Sequence, residues 1–148
     1  MGLLQPNDED FMRDALREAE KAFEKDEIPV GAVIVCDKRI IARAHNLTEQ
    51  LKDVTAHAEM QAFTAASDFL GSKFLEDCVL YVTLEPCTMC AGASFWTRIG
   101  RIVYGSKDEK RGYSLFNDNI LHPSTKVTSG ILANESATLL KEFFKHKR

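Results

Sequence analysis

Two short stretches of this chain carry side chains able to bind a metal and move a proton. His57-Ala58-Glu59 offers an imidazole and a carboxylate, and Pro86-Cys87-Thr88-Met89-Cys90 offers two thiols. Zinc in a catalytic site takes three protein ligands and keeps a fourth position for water. A His/Cys/Cys set meets that requirement and leaves Glu59 over as a proton carrier. The spacing restricts the geometry. Cys87 and Cys90 lie three residues apart and share one face if they open a helix. Two residues apart within a helix, His57 and Glu59 would diverge by about 200°, so both serve one site only if it lies over the helix's N-terminal end. Both motifs are therefore expected to open helices, where unpaired N–H groups and the positive end of the dipole favour thiolates.

A C-x-x-C pair alone is compatible with a redox dithiol, half of a structural zinc site, or an inert helix start. A structural site is normally closed by four protein ligands, and the sequence holds no second C-x-x-C and no H-x3-H to close one. The pairing of H-x-E with P-C-x-x-C resembles the signature of zinc-dependent nucleobase deaminases, in which the Glu is a general acid and base rather than a ligand.

Alternating helices and strands must position these motifs. Asn7 or Asp8 can cap a first helix, in which Phe11, Met12, Ala15, Leu16, Ala19, Ala22 and Phe23 recur at three- and four-residue spacing as a core-facing stripe. Val30 to Cys36 reads as a buried strand. Asp37-Lys38 turns the chain, and Arg39 to Ala44 returns antiparallel, because so short a connection permits only a hairpin. Residues 46–55 lack periodicity and read as a loop. The first motif helix is expected from about Ala56 to Leu70, with Gly71 as its stop. Cys78 to Leu84 is a continuous apolar run, as in a central strand covered on both faces, and it delivers Cys87. A helix over Cys87 to Arg98 and a strand over Arg101 to Gly105 complete a parallel pair, whose carboxyl ends are where ligands bind in such sheets. Ser106 to Pro123 is a long connection with a turn near Leu115, Lys126 to Thr128 a short last strand, and Leu132 to Lys147 an amphipathic helix.

With 148 residues the chain is expected to form one domain with its own core. Its hydrophobic fraction is 45%, and no apolar run approaches the roughly 20 residues of a membrane span. Met1 to Asp10 is polar and acidic without an apolar targeting core, so a cytoplasmic location is expected. Cys36 and Cys78 sit in strand-like apolar runs and read as buried free thiols of a reducing compartment. A net charge of −3 argues against polyanion binding over the whole surface. Lys141 to Arg148 nevertheless gathers four Lys/Arg against one acidic residue, which suits either a local nucleic-acid contact or a solvated helix end.

Over nearly its whole length the chain resembles the bacterial tRNA-specific adenosine deaminases, within the cytidine deaminase superfamily. The resemblance runs through Pro29-Val30-Gly31-Ala32-Val33, Thr55 to Glu59, Leu80 to Cys87, Cys90-Ala91-Gly92-Ala93, the Tyr104-Gly105-Ser106-Lys107-Asp108-Glu109-Lys110 loop and the Gly130 to Lys145 segment. Leu47, where relatives often carry Arg, and Tyr113, in a segment usually small, depart from the pattern. The resemblance implies a three-layer α/β/α cytidine deaminase-like fold, with a central mixed sheet of about five strands and helices on both faces. It implies a homodimer and Zn²⁺ held by His57, Cys87 and Cys90. The implied reaction is hydrolysis of adenosine to inosine at the anticodon wobble position of tRNA, with Glu59 shuttling the proton.

Substrate contacts are expected from Asn46, Val30, Ala58, Leu84, Glu85, Asp108, Phe143 and Phe144. Adjacent helical residues point about 100° apart, so one phenylalanine should be buried and the other available for stacking. RNA phosphates are expected to meet Lys107, Lys110, Arg111, Lys141 and Lys145, with Lys147-Arg148 beyond them. Trp96 reads as packing or dimer surface, and His122 as a loop residue. Two rivals remain open. A guanine or cytosine deaminase acting on a free base or nucleoside would share both zinc motifs, although the Tyr104 to Lys110 loop argues against it. A non-catalytic zinc-stabilised RNA-binding module would need no carboxylate at Glu59.

Overall fold

Asn7 and Asp10 close the start of helix α1 (Asp8–Glu24) reciprocally. The Asn7 side chain accepts the Asp10 N–H at 2.9 Å, and the Asp10 carboxylate accepts the Asn7 N–H at 3.0 Å. The expected stripe of Phe11, Met12, Ala15, Leu16, Ala19 and Ala22 is buried, and Phe23 is half-buried at its end. The structure, a computed structural model, describes residues 6–147. The expectations for Met1 to Asp10 therefore fall partly, and the one for Arg148 wholly, outside the described residues.

Strands β1 (Gly31–Cys36) and β2 (Arg39–His45) form the expected hairpin. Asp37 and Lys38 both take left-handed backbone (φ 52° and 63°), the twist a two-residue hairpin turn requires. Gly31 is needed for a close approach: a Cβ there would overlap the backbone of Ala15 and Ala19, so α1 lies directly on the strand. β1 also pairs antiparallel with β3 (Cys78–Leu84), and β3 runs parallel to β4 (Arg101–Ser106), which runs parallel to β5 (Lys126–Thr128). The mixed sheet has the order β2-β1-β3-β4-β5.

Strand alternation divides the core in two. Val33, Val35, Tyr81 and Val103 pack with Phe11, Met12 and Ala15 of α1. Ala32, Ile34, Leu80, Val82 and Ile102 pack on the opposite face, against the helices that carry the two motifs. This is the expected three-layer α/β/α arrangement. Among the described residues no helix is long and apolar enough to cross a membrane.

The segment read as a loop over 46–55 contains a single helical turn, α2 (Thr48–Leu51). Its cause is remote in sequence. The Glu27 side chain, fully buried, accepts the N–H groups of Glu49 (3.0 Å) and Gln50 (2.7 Å), and Lys52 ends the turn in left-handed backbone. Helix α3 spans Ala58–Leu70, two residues shorter at its start than expected, and Gly71 stops it with φ 66°. Helix α4 covers Thr88–Thr97 and α5 Ala133–His146. Cys78 is buried as expected, whereas Cys36 is only half-buried because it closes the hairpin's edge.

One polar cluster fastens α1 to the sheet. Arg101 grips the Asp8 carboxylate through both terminal nitrogens (2.9 and 2.6 Å), and the Tyr81 hydroxyl donates to the same carboxylate at 2.7 Å. Arg101 holds the Asp8 carboxyl below its ordinary value of 3.8. A depressed acid stabilises the fold above its unfolded value, and that contribution is lost as pH falls through the folded value. Asp8→Asn should therefore cost about 1–2 kcal/mol at neutral pH. Thermal melts at stepped pH should show the gap to wild type closing as pH falls below 3.8. An equal gap at neutral and strongly acidic pH would contradict this role.

Candidate active site

β3 ends at Leu84, and Glu85-Pro86 carry the chain to Cys87, which caps α4 in extended backbone (φ −73°, ψ 173°). Cys90 follows in the first turn. His57 caps α3 in the same way (φ −71°, ψ 156°). Both motifs thus open helices, as their spacing requires. Because His57 stands just outside its helix, its ring is freed from the angular divergence that would separate it from Glu59. His57 Nδ1 lies 3.6 Å from Cys87 Sγ and 3.5 Å from Cys90 Sγ. All three donor atoms lie within 4.8 Å of one another. Tetrahedral zinc with bonds of about 2.0 Å to nitrogen and 2.3 Å to sulfur sets N and S about 3.6 Å apart. Both N···S separations match the edges of such a tetrahedron, in which three donors leave one corner for a further ligand.

The charges suit the same reading. Cys90 and His57 beside it hold the Cys87 thiol down to about 4, so it is a thiolate at neutral pH. That thiolate, together with burial, pushes the Cys90 thiol upward, and it raises His57 as well. Burial pushes the Glu59 carboxyl up to about 7, where taking and returning a proton are both easy. A bound dication would draw the proton from Cys90 and favour the charged form of Glu59.

Gln61 was not singled out by its sequence context, yet it shapes the approach to His57. Its amide donates to the carbonyls of His45 (2.7 Å) and Ala56 (3.1 Å). His57 itself is extended, and its N–H closes a tight turn on the Thr55 carbonyl (2.8 Å) just ahead of the helix. The Gln61 bonds also fix the chain next to Asn46.

A cavity of about 1150 Å³ opens above the ligand set. Most of the expected substrate residues line it: Val30, Asn46, Ala58, Leu84, Glu85, Asp108 and Phe144. Asn46 is buried, with its N–H on the Val30 carbonyl at 3.1 Å and its amide 3.4 Å from the Thr48 hydroxyl. Phe143 is set apart. It is buried against Phe23 at 5.8 Å between ring centres, while Phe144 is 49% exposed, as the angular argument required. Lys107, Lys110, Arg111 and Lys141 line the rim, and Lys145 is exposed outside it. Trp96 is 76% exposed, so it is surface rather than packing. His122 accepts from the Ser124 N–H (3.2 Å) and lies off the cavity in its own turn.

Two carboxylates expected at the substrate also organise the loop beside it. Glu85 is buried, and its side chain accepts the N–H groups of Asp108 (3.2 Å) and Ser114 (3.1 Å) and the Ser114 hydroxyl (2.6 Å). The Asp108 side chain accepts the N–H groups of Lys110 and Arg111, both at 3.0 Å. The Tyr113 N–H donates to the Pro86 carbonyl (2.9 Å), and Gly112 bridges to Cys87. A Cβ at Gly112 would overlap the Glu85 carboxylate, so only glycine lets the loop come this close. The Lys107 to Arg111 segment is thereby hung from the metal motif.

A His/Cys/Cys set with a buried Glu, at two helix starts on a mixed five-stranded sheet, defines a cytidine deaminase-like enzyme. The MafB19-like deaminase family matches residues 6–148. The chain is 48% identical over 143 residues to a tRNA-specific adenosine deaminase of Agrobacterium fabrum, covering 93% of this chain and 94% of that protein. A solved structure from work on A-to-I editing by tRNA:A34 deaminases at the wobble position superposes with a TM-score of 0.82. It is 47% identical, covering 88% of this chain and 98% of that one. A guanine deaminase from Bacillus subtilis is 40% identical but covers only 69% of this chain and 66% of its own, with a TM-score of 0.66. The chain belongs to the tRNA-specific adenosine deaminase family.

The bonds of Glu85 give it a positioning role that can be separated from metal binding. Glu85→Ala should lower kcat/KM on an RNA substrate about 10- to 100-fold, since small displacements near a reacting centre carry losses of that order. Glu85→Gln, which keeps one acceptor oxygen, should recover part of the loss. Metal content should be unchanged in both. Wild-type kinetics in Glu85→Ala would remove this role.

Proposed function

We propose that the chain hydrolyses adenosine to inosine at the wobble position of a tRNA anticodon. The observation carrying this reading is the cavity, which at about 1150 Å³ is larger than the about 300–1,000 Å³ of ordinary small-molecule sites and has a basic rim. His57, Cys87 and Cys90 would hold Zn²⁺, which when bound would supply a Lewis acid that lowers the pKa of water toward neutrality. Glu59 takes a proton from the attacking water, returns it to the ring N1 and assists the departure of ammonia. The Asn46 amide can both donate to and accept from a purine edge. Val30, Ala58 and Leu84 give the base apolar walls that keep bulk water away.

An anticodon loop presents bases already unpaired, so splaying out the target costs less than from a duplex. Phe144 offers a face on which a neighbouring base can stack, worth about 1–3 kcal/mol. Lys107, Lys110, Arg111 and Lys141 then meet the phosphates, with Lys145 one helical turn farther on. We also infer a homodimer, because Trp96 on α4 and Phe69 on α3 leave large apolar side chains in water (76% and 68% exposed). From activity on tRNA we also infer a cytoplasmic location.

The second reading, a guanine deaminase, is favoured by the 40% identity to the Bacillus subtilis enzyme. One experiment separates the two. Purified protein is given an anticodon stem-loop with a wobble adenosine, free adenosine, guanine or cytosine, and ammonia and inosine are measured across a salt series. The stem-loop should be the efficient substrate, with log affinity falling by about 0.9 per neutralised duplex phosphate for each tenfold rise in salt. The Lys141→Glu/Lys145→Glu variant should bind it more weakly and with a flatter slope. Efficient turnover of free guanine, with no effect of the double substitution, would establish the second reading instead.

A further inference from the structure

β1 and β3 pair so that Cys36 stands directly opposite Cys78, and both are free thiols. The backbone of Cys78 shows what kind of pair this is. In an extended strand a residue's N–H and C=O point to the same side. The Cys78 carbonyl accepts the Gly100 N–H at 3.1 Å, and the Cys78 N–H goes to the Leu75 carbonyl at 3.0 Å. Cys78 is therefore turned away from β1, and the two cysteines form a non-hydrogen-bonded pair of the antiparallel ladder. Such pairs bring their Cα atoms to about 4.5 Å, with side chains closer than at hydrogen-bonded positions. That separation lies within the about 4.4–6.8 Å spanned by disulfides. Both side chains join the core on the motif-helix face. Cys36 is half-buried and so within reach of a small reagent, whereas Cys78 is 1% exposed.

We propose that Cys36 and Cys78 form a redox site separate from the metal centre: a cross-strand dithiol that a small disulfide, such as oxidised glutathione, converts to a protein disulfide. The Cys36 thiolate attacks one sulfur of the reagent, whose S–S bond breaks, and the departing thiolate takes up the proton Cys36 gave to solvent. Cys78 then loses its proton and attacks the Cys36 sulfur, expelling the second small thiol. Two protein thiols are oxidised by two electrons, and one small disulfide is reduced to two thiols. Burial, with the neighbouring Cys36, pushes the Cys78 thiol up to about 12, which makes Cys36 the attacking group of the first step.

The link would enclose residues 37–77, which carry His57 and Glu59, and Cys78 begins the strand that ends beside Cys87. It would tie together the two chain segments that supply the metal ligands, from about 20 Å away along the strand. A cross-link around so long a loop removes conformations from the unfolded chain and raises the melting temperature.

The test uses the metal-loaded protein, incubated with oxidised glutathione at mildly alkaline pH, alkylated, and analysed by intact mass and peptide mapping. The expected product has lost two hydrogen masses, contains a Cys36–Cys78 cross-linked peptide, keeps its metal and melts several degrees higher until dithiothreitol is added. Cys78→Ala should stop at a glutathione adduct on Cys36, and Cys36→Ala should give neither product. The proposal is overturned if wild type accumulates the same stable adduct as Cys78→Ala. It is equally overturned if both thiols are still free when the treated protein is denatured and alkylated, or if the only cross-link joins Cys87 to Cys90 with loss of metal.

Discussion

Three potential metal-donor atoms from two chain segments, 30 residues apart at their nearest, meet within 4.8 Å of one another, and the rest of the structure is arranged around that meeting. The distances of 3.5 and 3.6 Å between the His57 nitrogen and the two sulfurs leave little room for error. They are met because β3 and the two motif helices form one rigid corner. β3 delivers Cys87 at its carboxyl end, and α3 packs across β1 and β2 so that its own start points at the same place. Helix starts suit the task electrostatically, since they favour the thiolate that the ligand set needs.

From that corner the substrate side is built by hydrogen bonds rather than by packing. Glu85 is one residue beyond the end of β3, and its carboxylate gathers the backbone of a loop more than 20 residues downstream. Metal motif and basic loop are thus one mechanical unit, and Gly112 is the point where only a missing side chain permits it. Glu27 does the same on the other side of the cavity by capping α2 next to Asn46. Two buried carboxylates, Glu27 and Glu85, thus fix the walls through backbone N–H groups.

Features governed by local periodicity could be read from the residues alone. β3 has its expected bounds, Cys78 to Leu84, because a continuous apolar run between polar punctuation has only one way to be buried. The opening of a helix by each motif and the different exposures of Phe143 and Phe144 follow from helical angles in the same way. Contacts between remote segments left no such trace. The turn at Thr48–Leu51 is capped by Glu27, and the His45 and Ala56 carbonyls ahead of α3 are held by the Gln61 amide. Glu85 and Asp108 line the expected cavity, but nothing in their spacing shows that loop N–H groups also bond to their carboxylates. Cys36 and Cys78 read as unrelated thiols until strand register set them opposite one another.

The central claim is that the His57, Cys87 and Cys90 corner holds zinc while Glu59 moves the proton. The most direct measurement is turnover of an anticodon stem-loop by Glu59→Ala, with zinc counted on the same sample. The account predicts about one zinc per chain, as in wild type, and a rate lower by about 10²–10⁴-fold. A zinc-loaded Glu59→Ala protein turning over at close to the wild-type rate would contradict it.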